Sequence, residues 1–483
     1  MAGVTLRNAV LVTPVTLALV YFAAGIGLFL LGPIDWPVPD WSLTTAYLLA
    51  ALALIAGGFA VGIMTPPVAA PMPWVRYAVL AGAVGSILLL FPSAYVYTHS
   101  APWDFFSLLG DQRLAYEKMQ QTLREPESLR SVVATARMLL GPVTFVLPAL
   151  AILTWGSLGS RLKVLAAIGI FAACSFSIFR GTDKEIFDLL ILQAAAVAVV
   201  LCRRIVTSGF PSLQRLVMFG LVAALTAFFA AGSFIERKAQ RLGFDAAEVV
   251  EEQAEAAAAV EGESGGTAEV PPASAGGTAE VPPASAKAAP NLFCMSGDVC
   301  AKASSQAGVA SEAEVGRQFA LSMATAYATQ GYYGLSLALE KPTLSMYGFG
   351  HSNILTRVYV ALTGDVDFPD RALTYRIGEE GWDQRYQWAS AYTWLANDFG
   401  VYGAALVIGL IALIWASAWK DAVLAGNQAG GVVFCLLALF FVYLPAGNQI
   451  MQIGDGYAAL IAWVLIWLAY KLFIGVGVPV RPR

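Results

Sequence analysis

Charge is scarce in this chain. Asp, Glu, Lys and Arg make up 13% of its 483 residues, about half of what a soluble domain carries. Histidine is scarcer still, with His99 and His351 far apart, and neither an HExxH nor a CxxC motif occurs, so no familiar metal site is encoded. No Walker A string is present, which removes the usual ATP-driven classes. Five cysteines are too few for a disulfide scaffold. A net charge of -4 leaves no basic excess for nucleic acid. No cofactor is expected.

Hydrocarbon fills the space that charge vacates. The chain is 58% hydrophobic, with a mean hydropathy of +0.66, and apolar runs of about 17 to 25 residues recur, long enough to cross a bilayer as helices. The expected fold is all-α and polytopic, with about ten transmembrane helices at 9–31, 43–64, 77–95, 136–157, 164–180, 185–202, 214–233, 399–419, 429–447 and 456–474. The first run lacks a small-residue cleavage site and reads as an uncleaved span. With both termini cytoplasmic, the inner ends carry Arg7, Arg76, Arg161, Lys163, Arg203, Arg204, Arg215, Lys420, Lys471, Arg481 and Arg483 against Asp421 alone. That asymmetry is what the positive-inside rule requires.

Two long segments then lie outside. Residues 96–135 read as an amphipathic helical segment interrupted at Pro126. Residues 234–398 form a large extracytoplasmic loop between spans seven and eight, leaving domains at 1–233, 234–310, 311–398 and 399–483. In 234–310 an acidic, alanine-rich stretch precedes "GGTAEVPPASA", which occurs twice in tandem at 265–275 and 276–286. Such composition cannot bury a core and reads as a solvated linker. Cys294 and Cys300 sit close together there and could form a disulfide in an oxidising compartment.

Three outward-facing clusters stand out. In "IFRGTDKEIF", Thr182 and Glu185 have capping-box spacing for the sixth span, and Arg180 with Lys184 could add a phosphate-binding corner. In "LEKPTLSMYGFGHSN", Gly348 and Gly350 permit a tight turn that presents His351, and the apolar stretch before Glu340 reads as a re-entrant or interface-lying helix. In "DRALTYRIGEEGWDQRYQWASAYTWLANDFGVYG", arginines and aromatics lead into span eight, with Asn397 or Asp398 as its cap. The aromatics could form an interfacial belt or a platform for sugar faces. Several arginines with a candidate base suit displacement of a phosphate leaving group without a metal.

The strings "TQGYYGLSLALEKP...YGFGHSN", "RGTDKE" and "YTWLANDFGVYGAALVIGLIAL" resemble oligosaccharide repeat-unit polymerases of the O-antigen polymerase and ligase superfamily, bacterial membrane glycosyltransferases. The resemblance implies an undecaprenyl-pyrophosphate-linked glycan as donor, used at the periplasmic face of the inner membrane. It implies pyrophosphate binding by Arg180, Lys184, Arg357, Arg376 and Arg385. It makes His351 the base, with Glu340 and Asp398 as alternatives, and Tyr347, Asn353, Trp382 and Tyr386 the glycan contacts. A flippase and a chain-length regulator are the implied partners. The ligases of the superfamily differ in acceptor and remain an alternative. A transporter fits less well, because seven spans before the loop and three after it show no repeat symmetry. Deleting one copy of the tandem repeat is expected to leave protein level and polymer unchanged, as read by immunoblot and polysaccharide gel.

Overall fold

The computed structural model describes residues 2–124, 128–209, 294–296, 299–300, 312–380, 382 and 387–474. Eight stretches are helical, long and apolar enough to cross a bilayer: Leu6–Leu31, Trp41–Met64, Val75–Thr98, Leu129–Ser157, Ser160–Arg180, Lys184–Ser208, Ala391–Ala425 and Gly454–Phe473. A ninth apolar helix, Gln428–Tyr443, is shorter. These overlie nine of the ten expected spans; the other, 214–233, lies outside the described residues. The chain is a helical, polytopic membrane protein.

In chain order the helices are α1 (Ala2–Leu31), α2 (Trp41–Met64), α3 (Val75–Thr98), α4 (Phe105–Gly110), α5 (Gln112–Arg124), α6 (Ser128–Thr144), α7 (Leu147–Thr154), α8 (Ser160–Arg180) and α9 (Lys184–Ser208). They continue with α10 (Glu312–Leu339), α11 (Asn353–Thr363), α12 (Leu373–Arg376), α13 (Ala391–Ala425), α14 (Gln428–Tyr443), α15 (Gln449–Gln452) and α16 (Gly454–Ala469). Inside the expected linker, Cys294–Ser296 and Val299–Cys300 pair as antiparallel strands, with Cys294 and Cys300 as Cα partners.

Lipid tails are as apolar as leucine, so burial alone does not hold such helices together; close van der Waals approach does. The contact of α2 with α13 shows how. Gly58 and Gly62 are four apart on one face of α2, and a Cβ on Gly58 would lie 2.0 Å from the Gly409 carbonyl oxygen. One on Gly62 would lie 2.3 Å from that of Leu413. Trp415 then stacks on Phe434 of α14 with centroids 5.5 Å apart, and Phe59 meets its edge at 5.5 Å.

The outer amphipathic segment is shorter than expected, because α6 starts at Ser128 and runs on into the apolar stretch. Its helix α5 turns Gln112, Ala115, Met119 and Thr122 inward and packs on α3 and α8. Where a re-entrant or interfacial helix is expected, α10 is one continuous helix. Its residues 329–338 are buried, enclosed by protein from α1, α2 and α13. Trp36 donates to Thr329 at 3.1 Å and stacks on Tyr333 at 5.2 Å.

The two ends of α13 carry opposite chemistry. At its C-terminal end the buried Asp421 meets Lys471 at 3.1 Å, and Lys420 lies within electrostatic reach of Arg7. About 30 Å of helix separates Asp421 from Gly400, beside which the other clusters gather. Gly58→Ala is expected to overpack the α2–α13 contact by about 1–3 kcal/mol and to lower the melting temperature of the purified protein. Gly57→Ala, where a Cβ meets nothing within 4 Å, is expected to leave it unchanged or raise it.

Candidate functional site

The site is built on a break in α13. Gly400 has φ +70, inside the left-handed region, and interrupts the helix one turn after Asn397. Asn397 and Asp398 therefore do not cap the start of this helix, as expected from sequence, because the helix already begins at Ala391. Their side chains instead reach sideways to the 346–351 loop. Asn397 accepts from Leu373 N at 2.8 Å and donates to Gly350 O at 2.9 Å. Asp398, with a side chain 1% exposed, accepts from Gly348 N at 3.0 Å, Gly350 N at 2.9 Å and His351 N at 2.8 Å. The loop wraps its amides around one buried carboxylate, as backbone nests do around anions.

That wrapping explains the glycines of "YGFGH". Gly348 sits at φ +85, directly after Tyr347 at φ +56, and the reversal needs left-handed backbone. Gly350 is required for space, since a Cβ there would lie 2.7 Å from the Cβ atoms of both Asn397 and Met346.

The same carboxylate holds the imidazole. Asp398 Oδ2 lies 2.7 Å from His351 Nδ1, and His351 Nε2 lies 2.8 Å from the Tyr457 hydroxyl. A carboxylate at Nδ1 favours the tautomer with its proton there, which leaves Nε2 to accept from Tyr457. The backbone of His351 is fixed from α15 and its flank: Asn448 donates to its carbonyl at 3.0 Å and Gln452 at 2.9 Å. Ser352 caps α11 and donates to Met451 O at 2.5 Å.

Beside this relay lies a charge cluster centred on Phe176. Arg137 pairs with Asp455 at 2.9 Å and lies 4.2 Å over the Phe176 ring. Arg180 lies 5.4 Å from the same ring centroid and pairs with Glu185. Asp455 and Tyr457 share the first turn of α16, so cluster and relay are joined through one helix end. The expected capping box is not formed: Thr182 donates to the Glu185 side chain at 2.9 Å, and Asp183 holds the cap position without a side-chain cap bond. Nor is the corner a free cation patch. Lys184 is neutralised by Asp188 at 2.5 Å as Arg180 is by Glu185, although the buried Nε of Arg180 donates to no group among the described residues.

The remaining expected residues scatter around the relay. Tyr347 is 64% exposed and stacks on Tyr359 at 6.5 Å. Asn353 opens α11, and its amide donates to Gln452 at 2.9 Å. Arg357 is exposed on α11. Arg376 donates to Pro342 O at 2.6 Å. Glu340 is exposed at the end of α10, and its neighbour Lys341 is held above the ordinary lysine range by the hydrogen bonds it donates to Glu380 and Glu379. Trp382 is not an open platform: it is 3% exposed and packs edge-on to Tyr333 at 5.6 Å, a core contact that follows from the bare face of Gly334. Arg385 and Tyr386 lie outside the described residues.

Arg137, Asp455, Tyr457 and Asn448 are site residues that sequence reading misses. The stretch 446–457, "AGNQIMQIGDGY", carries the same signature as the His351 loop, polar residues punctuated by glycine between apolar helices. Comparison with family models, curated proteins and solved structures finds no match for the chain.

Asp398→Ala removes the acceptor of three amides, and each unsatisfied donor costs about 1–3 kcal/mol. Amide hydrogen exchange at 346–352 is therefore expected to quicken at least about tenfold, while exchange in α2 stays as in wild type. Unchanged exchange in the loop would refute the carboxylate's organising role.

Proposed function

We propose that the chain is a membrane glycosyltransferase, joining oligosaccharide repeat units carried on undecaprenyl pyrophosphate into a surface polysaccharide. The reading places it in the bacterial inner membrane with both termini cytoplasmic and the His351 end at the periplasmic face. The observation that carries it is the Asp398–His351 pair: a buried carboxylate that orients an imidazole 2.7 Å away, beside two guanidinium groups. A base so oriented can take the proton of an acceptor hydroxyl.

The charge cluster supports the second half of the reaction. Loss of a lipid pyrophosphate concentrates charge on the leaving oxygen, and fixed guanidinium groups stabilise it there. Arg137 and Arg180 already sit against one aromatic ring, so a phosphate that displaced Asp455 or Glu185 would meet preoriented donors. The stacked pair Tyr347–Tyr359 offers an exposed aromatic face for a sugar.

The test is the lipid-linked glycan profile of a strain that lacks the gene. A single lipid-linked repeat unit accumulating without polymer is the expected result; finished polymer still on its carrier lipid would mean transfer to another acceptor, and an unchanged profile would overturn the reading. Complementation with His351→Ala, Arg180→Ala or Arg376→Ala is expected to restore little polymer at normal protein level. Wild-type polymer from both arginine variants would remove them from the site.

A further inference from the structure

His351 has no free ring nitrogen. Nδ1 is held by Asp398 at 2.7 Å and Nε2 by the Tyr457 hydroxyl at 2.8 Å, and the side chain is only 15% exposed. Tyr457 itself is half-buried at the start of α16. An acceptor that reached Nε2 directly would have to break an existing hydrogen bond and enter a nearly closed space. One that reached the Tyr457 oxygen would break none. The ring stands nearly edge-on to the imidazole, with centroids 5.8 Å apart and planes at 72°, so the hydroxyl rather than the ring face meets Nε2.

Resting on the glycosyl-transfer reading above, we infer that Tyr457 is the catalytic residue that touches the acceptor, and that His351 works through it in an Asp398–His351–Tyr457 relay. The acceptor O–H bond breaks and its proton passes to the Tyr457 oxygen as the tyrosine's own proton passes to His351 Nε2. The acceptor oxygen bonds the anomeric carbon, and the bond from that carbon to the phosphate oxygen breaks with its electron pair on the pyrophosphate. The tyrosine ends as it began, neutral, and His351 ends protonated against the Asp398 carboxylate. The arrangement also assigns a role to the ion pair two residues away. Arg137 holds Asp455 at 2.9 Å and so pins the helix turn that aims Tyr457 at the imidazole.

The experiment uses the full-length protein in detergent, with the lipid-linked repeat unit purified from the gene-deleted strain as substrate. Tyr457→Phe keeps the ring and removes only the relay atom. It is expected to lower kcat about 100-fold, the scale of general acid–base catalysis, with KM and melting temperature near wild type. The double variant Tyr457→Phe/His351→Ala is expected to be no slower than His351→Ala alone, because groups in one relay fail as a unit. If Tyr457→Phe stays within about twofold of wild type while His351→Ala is inactive, His351 acts directly: the inference falls and the glycosyl-transfer reading stands. A faster Tyr457→Phe would make the tyrosine a stopper and overturn the relay. Wild-type rates in both single variants would remove the reading at this site and the relay with it. A second measurement needs no loss of the hydroxyl: 3-fluorotyrosine at position 457 makes it more acidic with little added bulk and is expected to change kcat, and an unchanged kcat would overturn proton transfer through Tyr457.

Discussion

One carboxylate organises the polar end of this protein. Asp398 accepts three backbone amides and one imidazole, and a buried charge of this kind is tolerated only when its hydrogen-bonding capacity is filled. The requirement runs in both directions. The loop supplies donors because the carboxylate is buried, and the carboxylate fixes a loop whose own apolar anchorage is a small cluster around Met346. Remove the charge and the amides of Gly348, Gly350 and His351 lose their partner together. The loop conformation and the imidazole orientation therefore depend on one side chain, while Ser352 and Asn353 tie α11 to α15.

What was legible in the sequence follows from how far each signal extends along the chain. Apolar runs are local, so nine of the expected spans coincide with helices, and the tight turn at Gly348 and Gly350 is local too. The partners of that turn are not. Asp398 lies in a helix far along the chain, and its position near an expected helix start marks it as a cap or a base but not as the acceptor of the loop's amides. Tyr457 and Arg137 gave no signal as a pair, since nothing in sequence spacing says that α6 and α16 press together; Trp463 donating to Pro142 O at 2.7 Å records that contact. Trp382 is buried for a reason equally remote in sequence. An aromatic near charged residues reads as a surface platform until Gly334 is seen to leave a ring-sized space beside α10.

The arginine corner shows the same limit in electrostatic form. Arg180 and Lys184 look like free cations in sequence because Glu185 reads as a capping partner of Thr182. In three dimensions each cation has its own carboxylate. At the edge of a membrane an unpaired charge is expensive, so a site that must receive an anion keeps its cations paired until the anion arrives. Paired arginines are thus no argument against phosphate binding, but they make binding an exchange of one anion for another.

The two buried aspartates of α13 show why one end of the helix suits chemistry and the other suits anchorage. Asp421 accepts from Val68 N at 2.9 Å and Trp467 Nε1 at 2.8 Å and faces Lys471 at 3.1 Å. Together with Asn427 donating to Val68 O at 3.0 Å, the group ties the ends of α13, α14 and α16 to the segment after α2. Asp398 is as well buried and as fully bonded, yet its side-chain partner is an imidazole, whose second nitrogen faces a hydroxyl. Lys471 offers only donors, to Asp421 and on to Ser417. His351 instead carries the chain of hydrogen bonds through its ring to the Tyr457 hydroxyl. Satisfying a buried carboxylate is the same physical demand at both ends, and the choice of donor decides whether the result can move a proton.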